Sequence, residues 1–162
     1  MEKITQNITS DDLTVKEVSI LTVGFICEQL KEFEFYFEQH LQDTILTGIL
    51  MGVKDSHPEI AETAFKALRD GLSAMSSSMK SQSVLEYLIS QIMEAVMKRH
   101  FLDYCLQALT EIVRCYYSLL TPQYVEVIAK HLLPILQDSK KEESCGLAME
   151  FWSTFAKEEK SI

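Results

Sequence analysis

The chain has 162 residues, 47% hydrophobic and 24% charged, a balance that builds a folded core and excludes a disordered chain. Five glycines and three prolines are too few to turn the many short strands of a sandwich or barrel, so helices are expected. The formal net charge of −9, from 24 acidic and 15 basic side chains, has the wrong sign for gripping a phosphate backbone; nucleic acid is not an expected partner, and a basic protein segment is favoured.

Residues 1–7 read as the last turns of a helix whose beginning lies upstream. The opening ten residues hold no apolar run for a signal peptide, and Asn7-Ile8-Thr9 is a chance match to a glycosylation sequon. Three later segments look like capping boxes: Thr14-Val15-Lys16-Glu17, Ser56-His57-Pro58-Glu59 and Ser139-Lys140-Lys141-Glu142. In each, a hydroxyl and a carboxylate three residues on can satisfy the open amides of a helix start. Pro58 suits a first turn, and Thr121-Pro122 is a further start of the same chemistry. The first two boxes lie 42 residues apart and the second and third 83, implying a period near 41.

Laying the following segments over one another, with the stretch from Phe101 added, gives one small position as Ser19, Ala61, Cys105 and Cys145. Three residues on come Thr22, Ala64, Ala108 and Ala148, then Val23, Phe65, Leu109 and Met149. Three further sit Ile26, Leu68, Ile112 and Trp152. Offsets of 0, 3, 4 and 7 form one stripe of a helix, and the small members let a neighbouring helix approach. Between these B helices lie A helices at roughly 36–54, 79–97 and 121–138, each with an apolar stripe of its own. Pro134 inside the last should kink it.

Two helices per unit of about 40 residues predict an all-α superhelix of the HEAT or armadillo type. About three and a half units are expected, near 1–30, 36–75, 79–120 and 121–160, as one segment cut from a longer array. Catalytic signals are thin. His40, His57, His100 and His131 occur singly, and no glycine-rich phosphate loop exists: Gly48 and Gly52 sit four apart inside a helix, where close helix packing explains them. Cys27, Cys105, Cys115 and Cys145 show no zinc spacing and read as reduced, buried, small apolar residues. Glu142-Glu143 and Glu158-Glu159 read as solvated helix ends. No enzyme activity, cofactor or metal is expected, and no membrane span.

Two stretches then carry a likeness. Cys145-Gly-Leu-Ala-Met-Glu-Phe-Trp-Ser-Thr-Phe-Ala-Lys-Glu-Glu159 resembles a Gly-Ile-Glu-Phe-Trp-Ser…Glu-Glu segment of the importin-β (karyopherin-β) family of nuclear transport receptors. Leu106-Gln-Ala-Leu-Thr-Glu-Ile-Val-Arg-Cys-Tyr-Tyr117 is similar to the preceding B helix of that family. Ile45-Leu-Thr-Gly-Ile-Leu-Met-Gly-Val53 and Gly24-Phe-Ile-Cys27 are similar to Ile-Leu-Thr-Ala-Ile-Ile-Gln-Gly-Met and Gly-Tyr-Ile-Cys, in the family's order.

The resemblance implies a receptor that shuttles between cytoplasm and nucleus. It would carry basic cargo or importin-α, be released by Ran, and meet Phe-Gly repeats of nucleoporins on its A helices. Carried over by position, one Phe-Gly pocket would use Leu46, Thr47 and Leu50 with Tyr87 and Leu88; a neighbouring one would involve Tyr124 and Leu132. Val84 stands where the family tends to carry an acidic rim residue. Glu28, Asp70, Glu111 and Glu150 on B helices are candidates for an acidic surface facing basic cargo or Ran, although strong Ran binding by this piece alone is not expected. Trp152, in the apolar stripe, reads as core. The alternative is a HEAT scaffold of another assembly, such as a phosphatase, a coat or a chromosome-organising complex.

Overall fold

The computed structural model describes all residues except Met1, 33–37, 76–77, 138–141 and 161–162. The described elements are helices: α1 (Glu2–Asn7), α2 (Leu13–Glu32), α3 (Gln39–Val53), α4 (Pro58–Gly71), α5 (Gln82–Lys98), α6 (Leu102–Tyr116), α7 (Pro122–Leu136) and α8 (Glu142–Glu159), with short 3₁₀ turns after α4 and α6. Among the described residues there is no strand, and the fold is all-α, of the HEAT/armadillo helical-repeat kind. The chain forms two compact units, Met1–Ser81 and Gln82–Ile162.

In the first unit α4 packs on α2 and α3, and α1 on α2. The helices approach closely because glycines stand at the crossings. A Cβ on Gly52 would come 2.8 Å from the Cβ of Ala64 and 2.9 Å from Ile20 Cδ1; one on Gly48 would meet Ile8 Cδ1 at 2.8 Å. The close packing expected of Gly48 and Gly52 is therefore present. In the second unit α8 packs on α6 and α7, and α5 on α6 and α7. The overlaid stripe is core through α6, where Cys105, Ala108, Leu109 and Ile112 are all buried.

The helix starts correct the capping expectation. Asp12, not Thr14, caps α2: its Oδ1 accepts from the amides of Thr14 (2.9 Å) and Val15 (3.2 Å), and its carbonyl accepts from Lys16. A carboxylate is the stronger acceptor for open amides, so Thr14 falls inside the first turn instead. Ser56 does not cap α4 either. His57 stands at the cap with no side-chain cap bond, and the Asp55 carboxylate accepts from its amide at 3.0 Å. Pro58 does occupy the first turn, as does Pro122 after Thr121. The third box falls on 139–141, outside the described residues. Pro134 lies within α7, which ends two residues later.

None of the four cysteines is in a disulfide. Cys27 and Cys105 are buried as expected, but Cys115 is exposed and Cys145 half-buried. Burial, with Asp103 adding to it, pushes the Cys105 thiol up to about 12.

Candidate protein-binding faces

Within the first unit, α3 presents Leu46, Thr47 and Leu50 very differently. Leu46 is buried in helix packing, Leu50 is half-buried, and Thr47 faces solvent beside exposed Met51. Residues four apart share a helix face only approximately, since four residues overshoot one turn. That small rotation separates Leu46 from Leu50.

Within the second unit, α5 buries Leu88 completely and exposes its neighbour Tyr87. On α7, Leu132 is fully buried, whereas Tyr124 is half-buried at the first turn. The Tyr124 hydroxyl bonds the Glu86 carboxylate of α5, which together with partial desolvation raises its pKa; a bond with Gln82 works the other way. Tyr124 thus ties α7 to α5 rather than standing free in a cleft. Leu132 belongs to the packing of the unit.

The acidic candidates divide in the same way. Glu28 is exposed on α2. Asp70 is buried, and its Oδ1 accepts from Arg69 Nε at 2.7 Å, so its charge is spent inside the first unit. Arg114 joins the other two: its guanidinium donates to Glu111 at 2.8 Å and lies 3.8 Å from Glu150 of α8. Exposed pairs of this kind contribute under about 1 kcal/mol. They nonetheless hold a cation between the two carboxylates that a basic partner would have to displace.

Sequence reasoning missed an apolar cleft of about 360 Å³ between α7 and α8, lined by Ala129, Leu133, Leu136, Met149 and Trp152. Met149, expected in the core stripe, is 62% exposed, and Leu133 is 52% exposed. Trp152 is half-buried in an aromatic cluster, with ring centroids 5.1 Å from Phe151 and 6.0 Å from Phe155. Its Nε1 is buried with no hydrogen-bond partner among the described residues. The signal was present in the sequence, because Met149 and Trp152 hold the stripe positions that on α6 are the buried Leu109 and Ile112.

Among the described residues no group of three or more His, Cys, Asp or Glu side chains is placed to hold a metal ion, and no helix is long and apolar enough to cross a membrane. The arrangement offers helix faces and an apolar cleft suited to protein segments.

No family model matches the chain. Importin subunit beta-1 of Saccharomyces cerevisiae is 27% identical over 155 residues, an alignment that takes in 91% of this chain and 17% of that protein. The chain therefore spans less than a fifth of the curated relative's length, and what the likeness supports is a distant relationship between this helical-repeat chain and importin-β.

Proposed function

We propose that this chain is a segment of an importin-β-like nuclear transport receptor, working by binding and release of proteins rather than by catalysis. The observation that carries the reading is the match to importin subunit beta-1 across 91% of the chain, on a structure built of the helical repeats that such a likeness requires. Shuttling between cytoplasm and nucleus and partners of the transport-receptor kind follow from it.

At finer grain, Phe-Gly segments of nucleoporins meet the A helices at exposed Thr47 and half-buried Leu50 on α3 and exposed Tyr87 on α5. Burying one phenylalanine side chain contributes about 2–3 kcal/mol before ordering costs. Such contacts form and break quickly, which suits passage through a crowded pore. Basic cargo or importin-α, and Ran only weakly, meet the B-helix acids, of which Glu28 and Glu150 are exposed. Asp70 is left out of that surface by its burial.

The test is binding of the purified chain to immobilised Phe-Gly peptide, with a Ser-Gly peptide of equal length as control. Retention on Phe-Gly and not on Ser-Gly supports the reading. Equal or no retention of a folded chain favours a scaffold of another assembly.

A further inference from the structure

In the second unit the B helices α6 and α8 run side by side in the same direction. Near their starts Ser144 of α8 donates to Asp103 of α6 at 2.7 Å. Near their ends Phe155 of α8 meets Tyr117, which follows directly on α6, with ring centroids 5.2 Å apart and planes inclined at 60°. Both helices therefore finish at one corner, and the negative ends of their dipoles lie there together.

The row of α8 that faces α6 is Ser144, Ala148, Phe151 and Phe155, at steps of four, three and four. A further step of three gives Glu158, and one of four gives Glu159, so both acids share the face of Phe155 rather than the far side of the helix. Glu158 is half-buried, as are both rings, although a run of glutamates at a helix end reads as solvated. Partial desolvation and then the charges of Glu159 and Glu158 raise the pKa of Tyr117, so both carboxylates lie within electrostatic reach of its phenol. The cations of the neighbourhood are placed elsewhere. Lys157 and Lys160 stand about 200° and 140° round α8 from Phe155. Arg114, one turn before Tyr117, is held by Glu111 at 2.8 Å and lies 3.8 Å from Glu150.

We propose that this corner is a binding site for an arginine side chain of a basic protein segment, the guanidinium lying against the rings of Tyr117 and Phe155 and donating to Glu158 and Glu159. Aromatic faces, carboxylates and helix C-termini are three different kinds of group, and each attracts a cation. A planar guanidinium uses them at once, stacking on a ring while its edge donates to the acids; an ammonium does not stack in this way. The net charge of −9 draws a basic segment to the chain, and the corner gives one of its side chains a fixed place. The proposal rests on the reading that the B helices take basic segments.

The test is a titration of the full chain with a fluorescent arginine-rich peptide, beside the same peptide carrying neutral citrulline in place of arginine. The arginine peptide should bind and the citrulline peptide should not. Tyr117→Leu leaves the net charge unchanged and should weaken binding about threefold or more, whereas Tyr117→Phe keeps the ring and should stay within about twofold of wild type. Glu158→Gln should weaken binding more than Glu62→Gln, which removes an exposed acid of α4 and changes the net charge equally. Circular dichroism checks that each variant is folded, and the two glutamine variants decide the matter should Tyr117→Leu unfold. A folded Tyr117→Leu that binds as tightly as wild type, or Glu158→Gln that binds no more weakly than Glu62→Gln, would overturn the site and leave the reading of a basic partner standing. Equal binding of the arginine and citrulline peptides, or no binding of the arginine peptide, would overturn both. Phe-Gly binding is read separately, on α3 and α5.

Discussion

Ser144 and Asp103 stand 41 residues apart, one repeat period, and the hydroxyl of Ser144 donates to Asp103 Oδ1 at 2.7 Å. The bond joins the first turn of α8 to the first turn of α6, and Ser144 is buried. Removing it leaves a shielded carboxylate short of a donor. Ser144→Ala is expected to lower unfolding stability by about 1–2 kcal/mol in urea titrations. A double-mutant cycle with Asp103→Ala should return a coupling of about 1 kcal/mol, since the residues touch.

Asp55 holds the first unit together by charge. Burial works against its ionised form, but hydrogen bonds from Lys16 Nζ at 2.8 Å and from the His57 amide and ring, with the Lys16 charge, outweigh burial. The carboxyl is held well below the ordinary carboxylate range. A depressed folded-state pKa gives stability that is present above the unfolded value of 3.8 and fades as pH falls below it. Asp55→Asn should therefore cost about 1–2 kcal/mol near neutral pH. The gap from wild type should hold down to about pH 5 and close towards pH 2, read by urea titration at each pH.

Arg99 ends α5 in a left-handed conformation, φ 55°, with its amide bonded to the Val96 carbonyl and the His100 amide to that of Ala95. This pair of bonds is a Schellman closure, and its left-handed position favours glycine. Compared with Arg99→Ala, which keeps the strain and removes the side chain, Arg99→Gly is expected to be more stable by about 1 kcal/mol in thermal melts.

Two glycines should respond in opposite directions. Gly52→Ala drives a methyl into Ala64 and Ile20 and should destabilise by about 1–3 kcal/mol. Gly146→Ala enters open space inside α8 and should stabilise by about 0.5–1 kcal/mol. Paired thermal melts of the two variants check the contrast.

The fold was legible because one stripe repeats: Cys105, Ala108, Leu109 and Ile112 are core for the reason their spacing gives. Helix starts were less so, since several side chains compete for the same amides, and Asp12 prevails over Thr14 by charge. The candidate faces were legible only by element. Spacing alone does not separate buried Leu46 from half-buried Leu50, nor can it show that Arg114 sits between Glu111 and Glu150, because Glu150 comes from the following B helix. The α7–α8 cleft stayed hidden because Met149 and Trp152 carry the same pattern as the covered residues of α6.

If Phe-Gly segments bind this chain as proposed, they meet the A helices at exposed Thr47 and Tyr87 and half-buried Leu50. The most direct measurement is an NMR titration of the ¹⁵N-labelled chain with a Phe-Gly peptide, repeated on Leu50→Asp. The expected result is fast-exchange shifts at Thr47, Leu50 and Tyr87 that are diminished in the variant. A folded chain whose spectrum is unmoved by the peptide, or whose shifts cluster elsewhere and persist in Leu50→Asp, would contradict it.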